Sequence, residues 1–303
     1  MKILVTGGSG FIGGHLVERL IKEGHDVYIF DIDYPKYPLE GFKNTNFILG
    51  STLMLGELIR ATKGMDVVFH LAAMANTSLC AESFSNAVRF NCVGTAHTLE
   101  ACKENDVRLV VNASSSLVSE KLFSPKEIGA PLINLNEDGH IYSTTKLCSE
   151  MICKDFFNMY QLPYINLRFG ICYGPRMTPG VLMYKFITNV LEGRPMKIEG
   201  TGRQWRPYMY ITDLIEGCIQ ALNRGVPDLT YNLVPNWKTS VYEVALIIQE
   251  LIGGEIEYTQ GRKVDFRCKE LIPSYELEWI PKISIVEGLM PTIDWYQEQG
   301  VGY

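Results

Sequence analysis

The chain runs through a short apolar stretch, Ile3 to Val5, and then turns to glycine, with Gly7, Gly10 and Gly13 spaced along TGGSGFIG. A glycine triplet is common by itself; its neighbours make this one constraining. The apolar run reads as a buried strand over 2–6. The stretch FIGGHLVERLIKEG has apolar residues at 12, 16, 17, 20 and 21, so it reads as a helix, and Gly24 stands where a C-terminal cap belongs. DVYIFDI reads as a second strand. Small residues between strand and helix let the backbone turn tightly, while the helix N-terminus offers free N–H groups and the positive end of its dipole. The expected ligand is a pyrophosphate lying against Gly7, Gly10, Phe11, Ile12 and Gly13. An unoccupied glycine turn is the competing reading, and the strand–helix–strand context weighs against it.

The alternation continues. MLGELIRATKG reads as a helix, MDVVFHLAA as a strand, NAVRFNCVGTAHTLEACKENDV as a long helix, and RLVVNASS as a strand. TKLCSEMICKDFFNMYQ reads as a helix after Tyr142, and YINLRFG as a strand. Strands with little polar alternation, separated by helices, predict an α/β fold: a doubly wound parallel sheet covered on both faces. Ligands of such sheets bind at the carboxyl ends of the strands. Asp31 ends the second strand, where a carboxylate accepts hydrogen bonds from a ribose and repels the 2′-phosphate of NADP, so NAD is expected.

In HIYSTTKLCSE, Tyr142 and Lys146 stand one helical turn apart. A phenol of ordinary pKa ~10 becomes a useful base when an ammonium and a nicotinamide charge lie close. A serine hydroxyl in ASSSLV could donate to, or accept from, the reacting oxygen. The residues alone leave Ser114, Ser115 and Ser116 open for that role.

The bulk properties narrow the class. At 303 residues and 47% hydrophobic, the chain can bury one large core or two joined ones. A net charge of −6 gives no general footprint for nucleic acid. No run approaches the roughly 18 apolar residues of a membrane span. The eight cysteines form no CxxC pair and no zinc-like grouping with histidine, so free thiols, no metal and a cytoplasmic location are expected.

Taken in order, TGGSGFIG, Asp31, DVVFHLAA, NCVGTAHTLEAC, NASSSLV, YSTTK, YGPR, GRQWRPYMYITD and YNL give a specific pattern over nearly the whole chain. It resembles the extended short-chain dehydrogenase/reductase family, especially nucleotide-sugar epimerases of the UDP-glucose 4-epimerase kind. The resemblance implies a Rossmann-type domain over 1–165 that binds NAD. It implies a smaller nucleotide-sugar lobe over 166–303, with segments passing back between the two. It places Asp66, Leu71, Ala72, Ala73 and Asn91 at the cofactor and makes Tyr142 the acid/base. Lys146 becomes the ribose contact and activator, and Ser115 the hydroxyl partner, with Ser116 as runner-up beside the substrate. Arg206 would clamp the diphosphate. Arg262 and Asp265 would be late nucleotide contacts, and Arg176 is either structural or near the substrate. The implied partners are a nucleoside-diphosphate sugar, a UDP-sugar foremost, and a second copy of the chain packed through helices near 87–104 and 144–160.

The departures bear on the substrate. Val118, Ser119 and Glu120 stand where the family has valine, tyrosine and glycine, and Ile171 replaces a customary asparagine. Similar dehydratases carry an Asp-Glu pair after the catalytic hydroxyl; here those positions are Ser116 and Leu117. C4 epimerisation through a keto sugar is the leading expectation. A dehydrogenase, reductase or decarboxylase of a nucleotide sugar is the alternative, followed by a non-catalytic nucleotide-binding protein.

Overall fold

The structure, a computed structural model, describes residues 1–39, 41, 46–122, 139–261, 269 and 271–300. In chain order the first part runs β1 (Lys2–Thr6), α1 (Phe11–Lys22), β2 (Asp26–Asp31), β3 (Asn46–Leu49), α2 (Leu55–Thr62) and β4 (Val67–His70). There follow α3 (Thr77–Glu82), α4 (Phe84–Val88), a π turn (Arg89–Val93), α5 (Gly94–Glu104), β5 (Leu109–Ser115), α6 (Ile141–Tyr160) and β6 (Tyr164–Phe169). The remainder is β7 (Ile171–Tyr173), α7 (Leu182–Leu191), β8 (Met196–Glu199), β9 (Trp205–Arg206), β10 (Tyr208–Tyr210), α8 (Ile211–Arg224), β11 (Leu229–Leu233), β12 (Thr239–Ser240), α9 (Val241–Ile252), β13 (Ile256–Thr259) and α10 (Ile285–Glu298).

Seven strands form one parallel sheet in the order β11-β6-β5-β4-β1-β2-β3. Chain direction across the sheet reverses between β1 and β4, which opens a crevice at their carboxyl ends. The middle strands are buried on both faces, as the unbroken apolar runs require. Ile3 and Val5 pack with Leu16, Val17 and Leu20 of α1 on one face. Leu4 packs with Leu58 of α2, Leu99 of α5 and Cys153 of α6 on the other. Each of the three fully buried α1 side chains contributes about 1.5–3 kcal/mol. Gly24, at φ +81°, closes α1 as its sequence position predicts.

Three small two-stranded pieces, β7 with β10, β9 with β12, and β8 with β13, lie in the later part of the chain. β11 also comes from that part, yet it completes the large sheet by pairing with β6. Trp279 donates to the Asp213 carbonyl at 3.0 Å, and the Asp213 carboxylate accepts the N–H groups of Lys282 and Ile283, so the approach to α10 is anchored to α8. No helix among the described residues is long and apolar enough to cross a membrane. The seven described cysteines are free thiols.

Candidate active site

A cavity of about 950 Å³ opens at the carboxyl ends of β1, β2, β4 and β5 and extends to β8 and β9. Gly7, Gly10, Phe11, Ile12 and Gly13 form one wall. Gly7 has φ +71°, and a Cβ there would lie 2.7 Å from the Ala72 nitrogen. A Cβ on Gly13 would overlap the Gly7 carbonyl oxygen. The loop is therefore pressed against the segment after β4, and its backbone forms the cavity surface. Leu71, Ala72 and Ala73 line the cavity beside it. At the end of β2, Asp31 accepts the N–H groups of Ser9 (2.9 Å) and Ile32 (2.7 Å) and faces the same space. Glycines that admit a diphosphate and a carboxylate placed for ribose hydroxyls together fit a dinucleotide.

Across the cavity, α6 starts earlier than its sequence suggests. His140 caps it, its imidazole Nδ1 accepting the Tyr142 N–H at 3.1 Å, so Tyr142 lies within the first turn. Tyr142, Lys146 and Glu150 follow at successive turns on one buried face. The Tyr142 phenol is hydrogen-bonded to the Ser115 hydroxyl, which also accepts the Leu117 N–H at 3.2 Å. Burial pushes the phenol up to about 12, with the Ser115 hydrogen bond opposing that rise. Lys146 Nζ donates to the Ala113 carbonyl at 2.7 Å, and burial lowers its ammonium to about 8.

Ser115, Tyr142, Lys146 and Arg206 all line the cavity. Residues 3–233 match the sequence model of the NAD-dependent epimerase/dehydratase family. The chain belongs to that family. This family member is 33% identical over 268 residues to an uncharacterised UDP-glucose epimerase of Bacillus subtilis (strain 168), covering 84% of this chain and 83% of that one. It is 30% identical over 322 residues to a UDP-N-acetyl-α-D-glucosaminuronate decarboxylase of Bacillus cytotoxicus, covering 98% of each. It is 29% identical over 316 residues to a trifunctional UDP-glucose 4,6-dehydratase of Arabidopsis thaliana; that match covers 98% of this chain but 47% of the plant enzyme.

Among solved structures, UDP-glucose 4-epimerase from Thermotoga maritima with UDP-glucose has a TM-score of 0.88 at 28% identity, covering 99% of both chains. A dTDP-glucose 4,6-dehydratase from Streptomyces venezuelae with NAD bound has a TM-score of 0.89 at 26% identity, covering 98% and 97%. This family member is an NAD enzyme of nucleotide-sugar epimerase, dehydratase or decarboxylase type.

Three expected site residues stand elsewhere. Asp66 lies at the amino end of β4, where its carboxylate accepts the Lys2 N–H at 2.7 Å; it is at the opposite end of the strand from the cavity. Asn91 is buried in the π turn and does not line the cavity. It accepts the Met74 N–H and donates to Met74 O and Thr145 Oγ1, fastening the cavity wall to α6. Arg176 does not line the cavity. It makes a two-pronged pair with Glu18 of α1 at 2.9 and 2.6 Å and donates to His15 Nδ1, while His15 Nε2 donates to the Pro175 carbonyl. Burial, and then the Arg176 charge, push His15 down to about 4, so it is neutral in this clamp.

The Ser116 hydroxyl is buried, has no hydrogen-bond partner among the described residues and does not line the cavity. Arg262 and Asp265 lie outside the described residues. The sequence reading passed over Glu150. Its carboxylate receives Ser114 Oγ at 2.5 Å and two bonds from Arg168, at 2.8 and 2.7 Å. Its position one helical turn after Lys146 was the available signal.

Proposed function

We propose that the protein is an NAD-dependent epimerase acting at C4 of a nucleoside-diphosphate sugar, with UDP-sugars first among the substrates. The observation that carries this reading is the cavity wall at the end of β5. Ser115 and Tyr142 meet there, and the next cavity-lining residue on that segment is Leu117. Dehydration requires its own acid and base to remove the C5 proton and expel the C6 hydroxyl. The two positions after Ser115 hold the buried Ser116 and the apolar Leu117. Among the described residues, the carboxylates lining the cavity are Asp31 on β2 and Glu199 on β8, away from the Ser115 segment.

Bound NAD would supply the acceptor, and then the donor, of a hydride at the sugar carbon. Tyr142 removes the carbinol proton and later restores it to the same oxygen. Ser115 donates to that oxygen as a ketone and accepts from it as a hydroxyl. The Lys146 ammonium and the nicotinamide charge favour a phenolate that burial alone would keep protonated. Apolar walls at Phe90, Leu117 and Ile171 offer the sugar few hydrogen bonds, which suits a keto sugar that must turn between two hydride transfers. Arg206, nine-tenths buried on β9, is the proposed diphosphate clamp.

A panel of UDP-, dTDP-, GDP- and CDP-sugars, with products resolved by NMR, tests the reading. A C4 epimer without net NADH is the expected result. Stoichiometric NADH would instead identify a dehydrogenase, and loss of water or carbon dioxide a dehydratase or decarboxylase. Binding without any product from the panel would favour a non-catalytic role. The reading includes a cytoplasmic homodimer formed through α4, the π turn, α5 and α6, where Val88, Val93, Met151 and Met159 are exposed.

A further inference from the structure

Three consecutive residues at the end of β5 are each tied to a different turn of α6. Ala113 accepts from Lys146, Ser114 donates to Glu150, and Ser115 is hydrogen-bonded to Tyr142. The proton chemistry above uses the first and third of these ties and leaves Glu150 without a role. Yet Glu150 is 7% exposed, and a carboxylate buried to that degree is costly unless it is paired and hydrogen-bonded. Here it is fully engaged, by Ser114 on β5 and by the Arg168 guanidinium on β6.

The charges around Lys146 single out Glu150. The titratable groups that act on the ammonium are Cys80 on α3, Cys92 on the π turn, His70 on β4, and Glu150 and Cys153 on α6, with Tyr142 one turn before it. Burial raises the Cys80 and Cys153 thiols; Cys92 is raised first by its hydrogen bond with Cys148 and then by burial. His70 is pushed down to about 3 by burial and then by Lys146, and the Tyr142 phenol is raised. At neutral pH those groups are uncharged, and the remaining one is Glu150, ion-paired with Arg168.

We propose that Glu150 is a positioning residue of this site: it fixes α6 on the Ser114–Ser115 strand end and supplies the negative charge that holds Lys146 as an ammonium one turn from Tyr142. The proposal rests on the roles given above to Tyr142 and Lys146 and does not depend on which sugar product is formed.

The test compares wild type, E150Q and E150Q/R168M as NAD-bound enzymes. The first readout is the pH profile of kcat on the panel sugar that turns over. The expected result for E150Q is an alkaline limb shifted to lower pH by about half a unit or more, with KM for the sugar changed less than about twofold. In E150Q/R168M no half-buried guanidinium is left unpaired, so thermal stability returns towards wild type while the shifted limb persists. An alkaline limb at the wild-type pH in E150Q would overturn the proposal. So would a double variant that recovers both stability and the wild-type limb, since the pair would then be only structural.

The second readout needs no substrate, so failure of the epimerase reading leaves it standing. Lys146 has a lowered folded-state pKa, and its deprotonation makes stability rise with pH. The difference in stability between each background and its K146M derivative isolates that rise. It is expected to begin at lower pH in E150Q than in wild type, and an unchanged onset would also overturn the proposal.

Discussion

At the residue scale, the site is a set of side chains whose ordinary acid–base properties burial has altered. Tyr142 is neutral in its hydrophobic seat among Cys80, Ala87 and Leu117, and in the proposed mechanism it works as a base only when positive charge is brought to it. The variant Y142F should lose about 10²–10⁴-fold in turnover and retain NAD binding by fluorescence titration; full activity would remove Tyr142 from the mechanism. Lys146 yields a prediction with a defined sign. Its folded-state value is about 8 against an ordinary 10.5, so the unfolded chain binds more protons between those limits. Stability therefore rises as pH climbs from about 8 to 10.5, by up to about 3 kcal/mol from this group. Urea unfolding of K146M should lack that component, and an identical pH dependence in both proteins would contradict it. Ser115 shows how far residue-level reading reached: the serine run left three hydroxyls open, and only the strand end separates the one facing Tyr142 from Ser116, which is buried away from the cavity.

At the element scale, Arg176 joins α1 to the loop after β7. It belongs to YGPR, a motif that also suggested a substrate contact, and sequence could not decide between them because Glu18 and His15 are about 160 residues distant. R176L should lower stability by about 1–3 kcal/mol, measured by urea unfolding, and leave KM for the sugar unchanged. A selective rise in KM would return Arg176 to the substrate. The alternating strands and helices of the first half were legible because their apolar patterns are long and periodic. β3 was not, because it is a four-residue edge strand with exposed ends. α10 carries Pro291 in its interior, which argues against a helix locally. A capping box of Ser284 and Glu287, with burial of Leu289, Ile293 and Tyr296, overrides that penalty. The π turn at Asn91 breaks what reads as one continuous helix, and the periodicity gives no sign of it.

At the scale of the whole molecule, the sheet and its switch point put the glycine loop, Asp31, Ser115 and Tyr142 around one cavity although they span more than 130 residues of sequence. That convergence was readable, because a doubly wound sheet sends all its strand ends to one side. The position of Asp66 was not, since a residue beginning a strand and one ending it look alike in a motif. The proposed dimer belongs to this scale. M151E combined with V93E should convert a dimer to a monomer by light scattering, and a dimer of unchanged mass would rule out that surface.

The pairing of β11 with β6 has a consequence during synthesis. The large sheet cannot be finished until residue 233 has left the ribosome, some 60 residues after β6. At about 5–20 residues per second, the β6 edge waits several seconds with its backbone groups unpaired. A nascent chain stalled in that interval would present an open template to other strands. Codon choice and chaperone access between β6 and β11 should therefore affect the soluble yield of this protein more than the same changes made after β11.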